Sequence, residues 1–196
     1  MYSTNLLGKG TFAMPGSYPD TLVLTTPRLV MRQLSAADWP FYLSLQSNPA
    51  VMKFISDPRN EEAARAGFDT RLPHWQPGSQ HWLCLVIMQR ASGVPVGLTG
   101  FLPDGNAQAE VGFMLSPDWH RQGYGYESLQ AVVKYGFTTL GLHKLTATVT
   151  AGNQGSRALL EKAGFCLEGT RRESYWLGGE WRDDWLFGLL AREAAL

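Results

Sequence analysis

The chain has 196 residues, enough for one domain with a sizeable hydrophobic core. Its 17 basic and 17 acidic side chains cancel and form no run of like charge, which argues against nucleic acid or an anionic membrane as the main partner. No apolar run approaches the roughly 20 residues of a membrane span, and the N-terminus lacks a secretory signal pattern, so we expect a soluble, cytoplasmic protein.

The chain begins with a segment that has few apolar residues. Residues 1–20 contain several glycines and prolines and predict a flexible N-terminal arm, which leaves a single domain over residues 21–196. The first strand of that domain is expected after Pro27, where side chains alternate in character up to about Leu34.

Two helices are predicted next. Asp38 is the expected cap of the first helix, which has a proline in its first turn and runs to about Ser47. Asp57 followed by Pro58 has the pattern of a cap with proline at the first helical position, and this second helix extends to about Leu72.

The middle of the chain alternates strands with short links. Strands over residues 81–89, 94–102 and 107–115 predict an antiparallel meander. A helix comes later, because apolar or small residues recur at the spacing of one helix face at Leu129, Val132, Val133, Gly136, Phe137 and Leu140.

The C-terminal third predicts a strand, a helix and a hairpin. Residues 144–150 alternate threonine with apolar residues, and Asn153 starts a helix that ends at Gly164. The last two strands, over residues 165–177 and 180–190, enclose a two-glycine turn. The order of elements predicts an α+β domain with a mixed, mostly antiparallel sheet flanked by helices.

The two cysteines, Cys84 and Cys166, both fall in predicted apolar strands and lie far apart in sequence. Reduced core thiols are a better interpretation than a structural disulfide.

One loop has the composition of an anion site. Residues 119–128, with the sequence WHRQGYGYES, lie between a predicted strand and a helix, so basic side chains, glycines and the unpaired N–H groups of a helix N-terminus coincide. A P-loop requires Lys and then Ser or Thr after its second glycine, and a dinucleotide fingerprint requires three glycines in an early strand–helix unit. Neither pattern is present, although the loop still predicts a ligand that carries phosphate.

Eight short segments together carry a family resemblance. They are LTTPRL at 24–29 with Asp38 following, VG at 96–97, EVGF at 110–113, GYG at 123–125, NQGS at 153–156, LEKAGF at 160–165, EG at 168–169 and WRD at 181–183. In this order, over about residues 22–190, the chain resembles the GCN5-related N-acetyltransferase (GNAT) superfamily. More narrowly, it resembles the branch of ribosomal-protein N-terminal acetyltransferases, the RimJ/RimL-like enzymes.

The resemblance implies acetyl-CoA as co-substrate and a sheet with splayed central strands. No metal is expected, because the four histidines are scattered and lack the spacing of metal ligands. In the superfamily, backbone N–H groups of the loop hold the CoA pyrophosphate, with Gly123 and Gly125 at the positions that must be small. His120 stands where the family has Gln or Arg, so it is either a phosphate contact or an ordinary loop histidine, while Arg121 supplies a fixed charge. The implied cofactor-binding residues are Phe113, Met114, Leu115, His120, Arg121, Gln122, Gly123, Tyr124, Gly125, Tyr126, Asn153 and Ser156.

Acetyl transfer to an amine needs a neutral amine, a polarised carbonyl and a proton for the departing thiolate. The resemblance implies that a backbone N–H of residues 113–115 polarises the carbonyl. It also implies that Ser156 lies near the sulfur as proton donor, and that Asn153 bonds the pantetheine chain. Both residue types also suit a helix cap, and the two roles are compatible.

Three residues are candidates for the general base. Glu110 matches a glutamate common at the start of the strand beside the co-substrate, and it has the same parity as Gly112. Tyr175 occupies a position where the branch often has glutamate, and Glu173 is expected to share its face. The structural alternatives are a surface or ion-paired strand end for Glu110 and a core or rim aromatic for Tyr175.

The resemblance therefore predicts an N-acetyltransferase that acts by direct attack of a primary amine on acetyl-CoA in a ternary complex. The acceptor is a protein N-terminus, an amino acid or peptide, or a small amine, and all three classes stay open. The alternative is a CoA-binding module with little catalysis, suggested by the His120 and Tyr175 departures. Three tryptophans of the last hairpin suggest a homodimer surface: Trp176, Trp181 and Trp185.

Overall fold

The computed structural model describes residues 22–195, and the arm expected at residues 1–20 lies outside the described residues. Eight strands in this range form one sheet: β1 Val23–Thr25, β2 Leu29–Gln33, β3 Leu83–Gln89, β4 Pro95–Pro103, β5 Gln108–Leu115, β6 Lys144–Thr150, β7 Cys166–Leu177 and β8 Glu180–Leu190. The α-helices of the same range are α1 Trp39–Gln46, α2 Pro49–Met52, α3 Glu61–Asp69, α4 Tyr124–Lys134 and α5 Gln154–Lys162. Helix α4 continues through a π-helical turn, Tyr135–Thr139.

The strands lie in the order β1-β2-β3-β4-β5-β6-β8-β7, and all neighbours are antiparallel except β5 and β6. The predicted meander is β3–β5. At the β7–β8 turn, Gly178 and Gly179 have φ of 64° and 81°, the left-handed conformation that a tight hairpin turn requires at both positions. The predicted α+β class with a mixed, mostly antiparallel sheet is confirmed.

Helices cover both faces of the sheet. The larger core lies between the sheet and helices α4 and α5, and it includes Leu85, Leu129 and Leu160. The smaller core, on the opposite face, joins α1 and α3 to the sheet and includes Val86 and Phe68. Because successive strand residues point to opposite faces, neighbours such as Leu85 and Val86 enter different cores.

The sheet opens in its middle. Strand β5 pairs with β4 from Ala109 to Leu115, but it pairs with β6 only through the first three residues, ending with Glu110 opposite Thr146. Beyond Glu110 the two parallel strands diverge. This is the splay that the resemblance implies, and it leaves a gap beside the second half of β5.

One predicted helix start was wrong. Helix α3 begins at Glu61 and is capped by Asn60, whose Oδ1 accepts the N–H of Ala63 at 2.8 Å. Asp57, the expected cap, instead accepts the N–H of Gly178 in the β7–β8 turn at 2.7 Å. The acid and proline at 57–58 resemble a helix start, but the carboxylate of Asp57 forms a tertiary contact instead.

Asp38 precedes α1 as predicted, but its carboxylate does not cap that helix. It accepts the Ser35 N–H at 2.8 Å and two guanidinium bonds from Arg32 at 2.8 and 2.7 Å. Burial alone would raise the pKa of Asp38, but the bonds from Arg32 and Ser35 outweigh it and lower the pKa. Asp38 therefore ties strand β2 to the start of α1.

The exposure of Cys166 and of Trp185 differs from expectation. Cys84 is buried, which raises the pKa of its thiol to about 12, whereas Cys166 is exposed, so the expected core position was wrong for Cys166. Both thiols are free. Trp185 is half-buried against the core, while Trp176 and Trp181 are exposed and meet edge to face with ring centroids 5.4 Å apart.

Candidate active site

The gap between β5 and β6 is lined by backbone hydrogen-bonding groups of β5. Ser116 lies opposite Val96 in the register and donates its N–H to the Val96 carbonyl at 2.9 Å, so the even-numbered β5 residues form the hydrogen-bonded pairs with β4. The N–H and C=O groups of odd-numbered residues, including Phe113 and Leu115, therefore point into the gap. Of the three residues expected to contact the co-substrate through backbone here, Met114 has its backbone groups directed to β4 instead.

The loop before α4 presents a run of unpaired donors. Within residues 22–195, no group accepts a hydrogen bond from the backbone N–H groups of residues 121–126. Arg121 has a φ of 59° and Gly123 a φ of 83°. Gly123 precedes the right-handed first turn of α4, and a left-handed residue beside a right-handed one makes successive N–H groups converge. A left-handed position costs a non-glycine residue roughly 1–2 kcal/mol. This loop has the geometry of an anion cradle.

The turn between β1 and β2 is hydrogen-bonded to this loop and to the first turn of α4. Glu127, in the first turn of α4, accepts three hydrogen bonds: from Thr26 Oγ1 at 2.6 Å, the Arg28 N–H at 2.9 Å and Arg28 Nε at 2.6 Å. Arg28 Nη1 donates to the Gln122 carbonyl at 2.9 Å, and its guanidinium lies 4.6 Å from the centroid of the Tyr124 ring. Burial would raise the pKa of Glu127, but the bonds from Thr26 and Arg28 lower it. Glu127 is therefore an anchored carboxylate.

Two side chains of the loop are used to fix it in place. His120 Nε2 lies 3.0 Å from the Leu115 carbonyl and must donate to it, because a carbonyl only accepts. Tyr124 is buried, and its hydroxyl accepts a hydrogen bond from Gln89 Nε2 at 2.9 Å. His120 thus bonds the loop to the end of β5. The groups that the loop presents to a ligand are mainly its backbone N–H groups.

Gly125 lets α4 approach its neighbours. A Cβ at this position would lie 2.8 Å from Leu159 Cδ1 of α5 and 3.5 Å from Leu115 Cδ1 of β5. The need for a small residue here therefore has a packing cause, besides the close approach of phosphate that the resemblance implies. The contact brings the first turn of α4, the end of β5 and helix α5 together.

Helix α5 begins directly after β6. Asn153 Oδ1 accepts the N–H of Ser156 at 3.2 Å, so Asn153 caps the helix. Among the described residues, nothing bonds the Asn153 amide nitrogen or the Ser156 hydroxyl, and both side chains are half-buried. These two polar groups are free to contact a ligand at the end of β6.

The opposite face of β5 carries the first candidate base. Glu110 shares that face with Gly112, which lies against Trp82, and with Met114, whose Sδ is 3.7 Å from Gln46 Nε2. Glu110 is half-buried and forms no ion pair with any residue of 22–195. It is also the last β5 residue paired with β6, so its carboxylate lies where the two strands part.

The two candidates on β7 differ from expectation. A bulge between Arg171 and Tyr175 interrupts the pleat, and Glu173 has a φ of 47° with its N–H bonded to Asp183 Oδ1 at 2.8 Å. The expectation that Glu173 and Tyr175 share a face assumed regular alternation, and the bulge breaks it. Glu173 is exposed, whereas the Tyr175 hydroxyl donates to the Ile55 carbonyl at 2.7 Å.

The loop between α2 and α3 is tied to the last hairpin. The Tyr175–Ile55 bond and the Asp57–Gly178 bond are its two attachments. The same loop reaches the end of β6, where the Phe54 ring lies 3.4 Å from the position of a Cβ on Gly152. It therefore lies beside both the last hairpin and the end of β6.

Trp75, which precedes β3, is buried and packs edge to face on Phe101, with ring centroids 5.6 Å apart. The part of the chain that the structure describes holds no group of three or more His, Cys, Asp or Glu able to bind a metal. In the same residues, no helix is long and apolar enough to cross a bilayer.

Sequence reasoning missed the anchor formed by Thr26 and Arg28. In the sequence, residues 24–29 were only a family marker. The pairing joins residues that are distant in sequence, and a single sequence carries no signal for it. The Tyr175–Ile55 tie was missed for the same reason.

Comparison with known proteins identifies relatives of the whole domain. Residues 28–166 match the family model of the acetyltransferase (GNAT) domain. The uncharacterized N-acetyltransferase YoaA of Bacillus subtilis (strain 168) is 30% identical over 161 residues, which cover 80% of this chain and 90% of that protein.

Two solved structures have the same fold. An acetyltransferase of the GNAT family from Bacillus anthracis superposes with a TM-score of 0.77 at 27% identity, covering 88% of this chain and 100% of that one. The spermidine N-acetyltransferase from Vibrio cholerae, in complex with CoA and spermine, superposes with a TM-score of 0.75 at 21% identity, covering 86% of this chain and 98% of that one. At that identity the second likeness is one of fold.

Proposed function

Since this chain belongs to the GNAT acetyltransferase family, we propose that it transfers the acetyl group of acetyl-CoA to a primary amine by direct attack in a ternary complex. The observation that carries the proposal is that an open strand edge and a run of unpaired N–H groups lie next to each other. The free backbone edge of β5 borders the gap, and the unpaired N–H groups of residues 121–126 lie next to its far end. Within the family we place the chain in the RimJ/RimL-like branch, on the strength of the segments at 24–29 and 153–156.

The residues present fit acetyl-CoA. Convergent N–H groups of residues 121–126 suit the pyrophosphate, which needs many donors and little side-chain bulk. The backbone of Phe113 and the N–H of Leu115 suit the amides of pantetheine, because an extended chain can pair with an open strand edge. The Leu115 carbonyl is already bonded to His120. The Asn153 amide and the Ser156 hydroxyl then lie near the thioester end.

The chemistry divides between two side chains. Bound acetyl-CoA supplies an activated thioester, whose carbonyl we expect the Phe113 N–H to polarise. Glu110 takes a proton from the amine, a step needed because an α-amino group has a pKa of about 7.7–8.0 and a lysine amine about 10.4. Ser156 passes a proton to the departing thiolate, whose thiol has a pKa of about 8.5 by analogy with cysteine, and water returns a proton to the serine hydroxyl as the first leaves. Tyr175 is a weaker candidate, because its proton is engaged by Ile55.

An acceptor panel tests the proposal. Thiol release from acetyl-CoA is measured with short peptides, free amino acids and polyamines, each paired with its N-acetylated form as a matched control. We expect saturable thiol release with at least one free-amine class and none with the blocked forms. Tight CoA binding without turnover on any class would contradict the proposal and leave a CoA-binding module.

A further inference from the structure

Arg28 connects the β1–β2 turn to the peptide that opens the anion cradle. We infer that Arg28 is a positioning residue, which holds the peptide between Gln122 and Gly123 with its N–H directed at the pyrophosphate of acetyl-CoA. This inference rests on the proposed function, because it names what faces that N–H.

The orientation follows from peptide geometry. Arg28 Nη1 donates to the Gln122 carbonyl at 2.9 Å, so that oxygen points toward the β1–β2 turn. In a planar trans peptide the C=O and the next N–H point in opposite directions, and no peptide bond in residues 22–195 is cis. The Gly123 N–H therefore points away from Arg28, and it has no acceptor among the described residues.

The guanidinium is itself held from several sides. Glu127 accepts from its Nε at 2.6 Å, and the Tyr124 ring lies beneath it. Arg28 Nη2 lies 3.1 Å from the position of a Cβ on Gly123, so the two residues fit closely. A planar fork can bond a carboxylate and a carbonyl at the same time, which a lysine ammonium on a flexible stem does less well.

This arrangement acts on orientation more than on charge or stability. The Arg28 side chain is 47% exposed, and an ion pair at such a site contributes little to folding. Its charge is already balanced by Glu127. If the peptide turned over, the Gln122 carbonyl oxygen would face the pyrophosphate, and a favourable charge-assisted bond would become a repulsive contact.

A variant pair separates orientation from charge. Arg28→Met keeps an apolar stem against Tyr124 but removes both hydrogen bonds and leaves the Glu127 carboxylate uncompensated. The double variant Arg28→Met/Glu127→Gln removes the same hydrogen bonds while restoring charge balance. Arg65→Met is the matched control, because Arg65 also pairs with a carboxylate, Asp69, and packs over aromatic rings, but on the other face of the sheet.

Binding of CoA and of pantetheine, which lacks the pyrophosphate, is measured by calorimetry for each protein. We expect both Arg28 variants to raise the Kd of CoA by about tenfold or more. This is the effect of losing one hydrogen bond to a charged group, here the bond from the Gly123 N–H to the pyrophosphate. Pantetheine binding should stay unchanged, the KM for acetyl-CoA should rise with kcat nearly constant, and Arg65→Met should behave as wild type.

Two results would overturn the inference. One is a double variant that binds CoA as tightly as wild type, which would make the effect one of charge. The other is an equal loss of CoA and pantetheine binding, which would make Arg28 a general structural residue. Failure of the wild-type protein to bind CoA at all is a different result, because it would overturn the proposed function itself.

Discussion

Glu110 and Ser156 belong to opposite sides of the sheet. The Glu110 side chain lies on the face covered by α1 and α3, while Ser156 is in α5 on the other face. In the proposed mechanism this arrangement suits direct transfer, because the amine would lose its proton to Glu110 on one side of the carbonyl and the thiolate would gain one from Ser156 on the other. Different residues would then carry out the two proton transfers.

Replacing Ser156 with alanine tests the donor role. We expect kcat to fall about 10- to 100-fold, toward the lower end of general acid catalysis because water can partly replace the hydroxyl. The Kd of CoA should change much less than kcat, because the Asn153 cap bonds the backbone N–H of residue 156 and survives the substitution. Steady-state kinetics with CoA calorimetry checks both, and an unchanged kcat across pH would show that Ser156 is not the donor.

Single residues could be predicted from the sequence where local chemistry decides their position. Asn153 was predicted as a cap, and Gly178 and Gly179 as a turn, because each depends on its immediate neighbours. Asp57 was assigned wrongly, because its local pattern fits a cap while its partner lies in the distant β7–β8 turn. The partners of Arg28 and Tyr175 are also distant in sequence, so they could not be predicted either.

At the scale of elements, the site depends on how closely α4, α5 and β5 pack. Gly125 lies at their junction, where an added methyl group would meet Leu159 at 2.8 Å. The unpaired N–H groups of residues 121–126 belong to the loop before this helix and to its first turn. A shift of α4 would therefore move the cradle relative to the open edge of β5.

Substituting Gly125 with alanine should lower the free energy of unfolding by about 1–3 kcal/mol through overpacking. Gly155→Ala is the matched control, because Gly155 also lies in the first turn of a helix and its Cβ would meet only Asn153 Oδ1 at 3.8 Å. That variant should be neutral or stabilised by up to about 1 kcal/mol. Urea unfolding of both proteins checks this, and equal stability changes would contradict the packing account.

The elements themselves were mostly predictable. Periodicity located β6 and α4, because each buries one face against a core and shows it in the sequence. The bulge in β7 was not predictable, because the hydrogen bond found there, from the Glu173 N–H to Asp183 Oδ1, joins the two strands of the hairpin. The bulge interrupts the regular alternation of side chains, so the faces of Glu173 and Tyr175 could not be assigned from the sequence.

At the scale of the molecule, the sheet brings distant segments to one gap. The β1–β2 turn anchors the cradle, β5 offers its backbone edge, β6 leads to the α5 cap, and the β7–β8 hairpin bonds to the loop between α2 and α3. The order of the elements along the chain was predicted from the sequence, whereas the order of all eight strands within the sheet was not. The register that turns Phe113 and Leu115 toward the gap became visible only with the β4–β5 pairing.

The central claim is that an amine attacks the acetyl thioester directly at this gap. Mass spectrometry with acetyl-CoA carrying an isotopically labelled acetyl group tests it, with an acceptor chosen from the panel. We expect label on a nitrogen of the acceptor, and an unlabelled protein when the acceptor is omitted. A protein that becomes stoichiometrically labelled without acceptor, and then passes the label on, would contradict direct transfer.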